Sequence, residues 1–215
     1  VAGLCLQSLL RNDLAEPYTL GISGGAALGF SAGTIIGTGT VSPVLPALAG
    51  ALAAAFAVFQ LGRSSNLSGN GLVLGGIAVN IILGSAVFLL FAFARPQQIN
   101  RAVFWMMGDL GLADFSALLP AGLLILLLIL TLLPFSPVLD ILMLGDEASL
   151  AAGAGKAGVA MVFAAASLLT ALSVALCGMI GFVGLIVPHL LRMTGSSRHA
   201  FLLPASAIGG SVFLM

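Results

Sequence analysis

Charge is nearly absent from this sequence. Only 7% of its 215 residues are Asp, Glu, Lys or Arg, seven basic and seven acidic, and the formal net charge is zero. Soluble domains carry about 25% of these residues, so a water-exposed surface of this size is excluded. Balanced signs also leave no basic footprint for nucleic acid. Cysteine is scarce: Cys5 and Cys177 stand in apolar stretches without metal-ligand spacing and read as small buried hydrophobes. No basic segment precedes an apolar core at the start, so nothing resembles a cleavable signal peptide. Apolar residues dominate instead, at 60%, with a mean hydropathy of +1.21. The chain reads as an integral membrane protein whose length holds roughly seven or eight crossings of ~20 residues. It begins at Val1 and stops within an apolar run at Met215. Both ends read as cut, giving one transmembrane domain, 1–215, from the interior of a longer protein.

Apolar stretches are expected at 1–10, 19–37, 43–62, 72–94, 117–134 and 156–178, with a last span beginning after 199. The stretch 179–191 is apolar but short and carries Pro188, which predicts a short or broken helix. Two wetter connections, 95–116 and 135–155, hold most of the acidic residues, and Trp105 in the first is expected as an interface anchor. Every Asp and Glu falls in a connection. Strict alternation puts Arg11, Arg63, Lys156, Arg192 and Arg198 on one side and Arg95 and Arg101 on the other. That excess of basic residues marks the first side as cytoplasmic, provided 179–191 counts as a crossing. Glycines at helical spacing, such as Gly21, Gly25 and Gly29, let helices approach closely in lipid. A faint internal similarity, Leu9-Leu10-Arg11 against Leu190-Leu191-Arg192, is of the kind seen in transporters built from repeats.

Three polar features are costly enough in lipid to require an explanation. Arg11-Asn12-Asp13-Leu14-Ala15-Glu16-Pro17 is either a solvated turn or the lining of a wet cavity. Leu144-Gly145-Asp146-Glu147-Ala148, with Gly153 beyond, is either an ordinary loop or a short helix that docks in a partner's groove, its carboxylates at the favourable N-terminal end. The polar stretch 192–199 reads as a hinge. Pro188-His189 reads as a structural histidine bonded to backbone that the proline frees, with proton relay or metal binding as the alternative. Gly21-Ile22-Ser23-Gly24 looks like the nucleophile motif of intramembrane serine proteases, with His189 as the base; Ser23 is also a small residue among packing glycines. No other reactive constellation stands out, so no catalytic residue, metal site or cofactor is expected.

Taken in order, several blocks resemble one family. They are Leu6-Gln7 followed by Arg11 to Pro17, Leu20-Gly21-Ile22-Ser23-Gly24-Gly25-Ala26-Ala27, Trp105-Met106-Met107-Gly108 and Leu144 to Ala148. Gly181-Phe182-Val183-Gly184-Leu185-Ile186-Val187-Pro188-His189-Leu190-Leu191-Arg192, then Arg198-His199 and Leu203-Pro204, complete the series. Together they resemble the FecCD-type permeases of ABC importers for iron-siderophores, haem and cobalamin, with Asp13 where that family usually has proline. The resemblance implies an all-α polytopic bundle of the type II importer fold, about ten helices in the full protein and seven to eight here. It implies a homodimer in the inner membrane of a bacterium or archaeon, in contact with lipid. Two ATP-binding cassette ATPase subunits would sit inside and a periplasmic or lipid-anchored binding protein outside. By position, Leu144, Gly145, Asp146, Glu147, Ala148 and Gly153 match the segment that seats on the ATPases. Asn12, Leu14, Ser68, Gly69 and Asn70 match the cytoplasmic gate, and Asn80 and Ser85 are the polar residues of the helix lining the pathway. Arg95 and Arg101 fall on the outer side, where they would meet the binding protein. The chain itself would catalyse nothing. A transporter driven by an ion gradient remains the alternative, and it would need a carboxylate within the membrane.

Overall fold

The computed structural model describes residues 1–37, 43–64, 69–112, 115–145, 155–195 and 197–215. Among them the regular structure is helical: α1 (Ala2–Leu10), α2 (Ile22–Ile36), α3 (Val44–Ser64), α4 (Gly69–Phe93), α5 (Pro96–Met106), α6 (Phe115–Leu132), α7 (Ser136–Leu142), α8 (Lys156–Cys177), α9 (Val183–Arg192) and α10 (His199–Phe213). Four apolar rods, Val44–Arg63, Gly69–Phe93, Leu118–Leu142 and Ala157–Cys177, are long enough to cross a bilayer. Three shorter apolar helices, α2, α9 and α10, accompany them.

Helix α1 forms the axis of the bundle. Its residues from Gly3 to Leu10 are all buried, including the polar pair Gln7 and Ser8, and α4, α7, α8, α9 and α10 pack around it. Only a helix with neighbours on every side buries its whole circumference. Close approach depends on glycine: a β-carbon at Gly3 would collide with the Gly184 carbonyl of α9. The most extensive contact joins α2 to α3, where β-carbons at Gly25 and Gly29 would strike the carbonyls of Gly50 and Pro46. The Gly21/Gly25/Gly29 spacing therefore works as a packing surface.

Three local readings of the sequence are corrected. The rod that was expected to end at Pro134 continues to Leu142, because Pro134 and Pro137 both occupy opening positions of helical segments, the 3-10 turn Leu133–Phe135 and α7. There a missing N–H costs no intrahelical bond. Asp140 consequently lies on a helix and not in a connection. The first wet connection contains α5, opened by Pro96, with the Gln98 Oε1 accepting the Arg95 N–H at 2.9 Å. Trp105 is buried, stacked on Phe30 with ring centroids 4.2 Å apart, so it packs and does not anchor an interface. Finally, Pro188 lies inside α9 and removes the donor that would reach the Gly184 carbonyl. Gln7 Nε2 donates to that carbonyl at 3.3 Å. Gln7, not His189, answers the proline, and His189 is exposed.

The helix ends fall into two groups. At the first, the end of α1 meets the start of α4, the ends of α7 and α9, and the start of α10 through contacts at Gly69, Leu142, Arg192 and His199. At the second, Gln98 of α5 donates to the Thr34 and Ile35 carbonyls at the end of α2. There too the Asp109 N–H donates to the Cys177 carbonyl at the end of α8. Arg11, Arg192 and Arg198 lie at the first end, as do Arg63 and Lys156, which close α3 and open α8; Arg95 and Arg101 lie at the second.

Candidate functional site

At the first end the chain leaves α1 by a tight reversal. Arg11 adopts a left-handed conformation (φ 49°, ψ 40°), its N–H directed at the Gln7 and Ser8 carbonyls, while the Asn12 N–H donates to Gln7 at 3.1 Å. This satisfies carbonyls that the helix end leaves open, in a position where glycine is usual. Asn12 Oδ1 then accepts the Leu14 N–H at 2.9 Å, and the Asn12 carbonyl accepts the Ala15 N–H at 2.9 Å. Leu14 is thereby turned outward, 71% exposed, while Ala15 is buried.

From there the segment runs back along α9. Asp13 Oδ1 accepts from Arg192 at the end of that helix, 2.6 Å away, and the Glu16 carboxylate accepts the Phe182 N–H at its beginning. Ten residues of helix separate those contacts, about 15 Å. Glu16 therefore stands well back along α9 from the first end, only partly buried, at a helix N-terminus that favours negative charge. Asn12, Asp13 and Leu14 are exposed as in a solvated turn, whereas Ala15 is buried and Glu16 and Pro17 are partly buried where the segment turns back along α9. Phe182, also left-handed at φ 67°, is held in that conformation beside it.

A second polar group crosses the same end. His199 is buried, with 3% of its side chain exposed. Its Nδ1 lies 2.6 Å from Asp140 Oδ1 and its Nε2 2.5 Å from Ser8 Oγ, while its backbone N–H donates to Asp140 at 3.0 Å. The imidazole thus ties α10 to α7 and α1. It is not part of an exposed hinge. Arg11 Nε donates to the Leu142 carbonyl at 2.9 Å, which brings the re-entrant segment to the last residue of α7. Leu144 follows, 69% exposed, and Gly145 has a φ of 111°.

The expected gate residues Asn12, Leu14, Gly69 and Asn70 are gathered at this end, with Gly69 seated against the Leu10 carbonyl. Leu144 and Gly145 join them, whereas Ser68, Asp146, Glu147, Ala148 and Gly153 lie outside the described residues. Asn80 and Ser85 are midway along α4, on its exposed face. The Asn80 amide lies over Gly24, and Ser85 Oγ donates to the Ile81 carbonyl at 2.9 Å. Arg95 and Arg101 are exposed at the opposite end. Asp140, His199, Ser8, Arg192 and Glu16 were not singled out as partners. The one available signal was that charged groups between apolar stretches need counterparts. The protease arrangement is not assembled: Ser23 Oγ is buried with no hydrogen-bond partner among the described residues, and His189 is exposed.

Comparison with known proteins bears on the family and the fold. A family model described as the FecCD transport family matches residues 1–215. The hemin transport system permease protein HmuU of Yersinia pestis is 40% identical over 225 residues, covering 100% of this chain and 66% of that protein. The vitamin B12 import system permease protein BtuC of Vibrio vulnificus (strain CMCP6) is 38% identical over 221 residues, again covering 100% and 66%. For the cobalamin import system permease protein BtuC of Halobacterium salinarum the identity is 36%, covering 59% of the relative. The chain thus spans 59–66% of the length of these curated relatives. A solved inward-facing ABC transporter, assigned to the metal-chelate type, superposes with a TM-score of 0.88 at 29% identity, over 99% of this chain and 70% of that one. The fold is the all-helical, multi-pass membrane bundle of an ABC transporter permease, and the chain belongs to the FecCD transport family.

Proposed function

We propose that this chain is the membrane-embedded core of an importer permease that carries a metal chelate of the haem, cobalamin or iron-siderophore kind across the inner membrane, driven by two separate ATP-binding cassette subunits. The observation that carries this reading is convergence at one end. Asn12, Leu14, Gly69 and Asn70 lie at the end where Arg11 contacts Leu142, two residues before Leu144, so a partner seated there would act close to a gate. Arg11, Arg63, Lys156, Arg192 and Arg198 share that end, and the positive-inside bias makes it cytoplasmic. Arg95 and Arg101 then face outward, where a binding protein would deliver its cargo.

A second copy would cover α4. One stripe of this helix, Leu72, Gly76, Val79 and Val87, is buried; the other, with Ile77, Ile81, Phe88 and the polar Asn80 and Ser85, is open. Two such faces would enclose a wide path of sparse polarity, and a large chelate passes such a path without being trapped. Nucleotide binding in the partner subunits would shift the bundle between inward- and outward-open states through their unequal affinity for the two.

One observation favours the alternative of ion-driven transport: Glu16 is a partly buried carboxylate set back along α9 from the end of the bundle. Uptake by the full-length permease in proteoliposomes, supplied with ATPase subunits and binding protein, decides between them. Uptake of haem, cobalamin or a ferric siderophore is expected to require ATP and to persist without a proton gradient. Uptake that continues after ATP depletion and collapses with the gradient would overturn the importer reading.

A further inference from the structure

Arg11 closes two helices at once. Its backbone ends α1, with the N–H turned to the Gln7 and Ser8 carbonyls, and its guanidinium Nε donates to the carbonyl of Leu142, the last residue of α7. The final carbonyls of a helix have no partner within it, and a cation there is favoured by the helix dipole. The left-handed backbone at Arg11 would accommodate glycine with less strain, so the turn alone gives no reason for an arginine. The side chain does. On one side of this contact the chain continues through Asn12 to the outward-turned Leu14. On the other it continues from Leu142 to Leu144 and Gly145. Helix α7 is also clamped from behind, because Asp140 is bonded to both the backbone N–H and the imidazole of His199, whose other nitrogen meets Ser8 of α1.

We propose that Arg11 is a positioning residue that transmits movement of the segment after Leu142 to the loop bearing Asn12 and Leu14. The inference rests on the importer reading above. With α7 held against α10 and α1, displacement at its tip reaches the loop through the guanidinium–carbonyl contact, an unbroken physical connection of the kind that carries coupling between sites. The loop need not touch the partner subunit for its gate to respond.

The test compares Arg11→Gly and Arg11→Lys in the full-length permease assembled with its ATPase subunits. Arg11→Gly relieves the backbone and deletes the contact; Arg11→Lys restores a cation and a donor. The expected result is that Arg11→Gly assembles and hydrolyses ATP, but chelate uptake per ATP falls about tenfold, within the usual range of coupling energies. Arg11→Lys recovers most of that loss. Uptake per ATP at the wild-type level in Arg11→Gly would overturn the assignment. Failure of Arg11→Gly to assemble would overturn it too, by making the guanidinium a requirement of the fold. A lysine variant as uncoupled as the glycine variant would also count against the Leu142 contact. A wild-type complex without ATP-dependent uptake contradicts the importer reading itself, which the variants leave untouched.

Discussion

Full-length permease carrying Asp146→Lys together with Glu147→Lys is expected to stay in the membrane while its ATP-dependent uptake falls by about a hundredfold. The two acids follow Gly145, which leaves the bundle at the end where the Arg11 loop and the start of α4 meet. On the reading proposed here they enter a groove on the ATPase subunit. If that groove is basic, reversing both acids would place like charges at the contact, and such juxtapositions cost several kcal/mol. Two measurements check it together: co-purification of the ATPase subunit and uptake by the reconstituted complex. Both should fall in parallel. Normal co-purification with normal uptake would remove this segment from the partner interface.

The second large effect concerns stability and separates the two histidines. His199→Ala removes an imidazole that is buried between Asp140 and Ser8, and it leaves a cavity where three helices meet. Lost buried hydrogen bonds and lost volume together are expected to cost about 2–4 kcal/mol. His189→Ala, on an exposed position of α9, is expected to change stability by no more than ~0.5 kcal/mol. Reversible unfolding in mixed micelles, followed for both variants and the parent, provides the comparison. Equal shifts for the two substitutions would contradict the bridge. The hydroxyl of Ser8 also donates to the Leu4 carbonyl, 3.1 Å away. With a carboxylate at Nδ1 the neutral imidazole holds its proton there, so Nε2 accepts the Ser8 proton in competition with the Leu4 carbonyl.

The long apolar rods were legible because length and composition suffice to define a span, and α3, α4 and α8 fall close to where hydropathy puts them. Helix α5 was not. Gln97, Gln98, Asn100 and Arg101 make it read as a wet connection, and only packing of its other side, Ala102 and Trp105, against the bundle explains it. Pro134 read as a stop because proline breaks a helix interior, but here it opens a new segment. For the same reason Asp140 was assigned to a loop.

The blocks that carry the family resemblance mark the end proposed as the gate without revealing how it is held together. Pairings such as Asp13 with Arg192, Glu16 with Phe182 and Asp140 with His199 join residues 59 to 179 positions apart. No periodicity or spacing encodes such contacts; the first two follow from α9 lying beside α1, which Gly3 and Gly184 permit, and the third from α10 packing on α7. His189 drew attention through its neighbour Pro188, whereas the buried histidine that links three helices stood in a stretch that read as a polar hinge.

The central claim is that the end carrying Arg11, Leu142 and Arg192 is the cytoplasmic face. Sidedness of single cysteines tests it most directly, in full-length permease with Cys5 and Cys177 replaced by alanine. A membrane-impermeant maleimide added outside intact cells is predicted to label Arg101→Cys and to spare Leu144→Cys and Met193→Cys until the membrane is opened. Labelling of Met193→Cys from outside, with Arg101→Cys protected, would contradict the account.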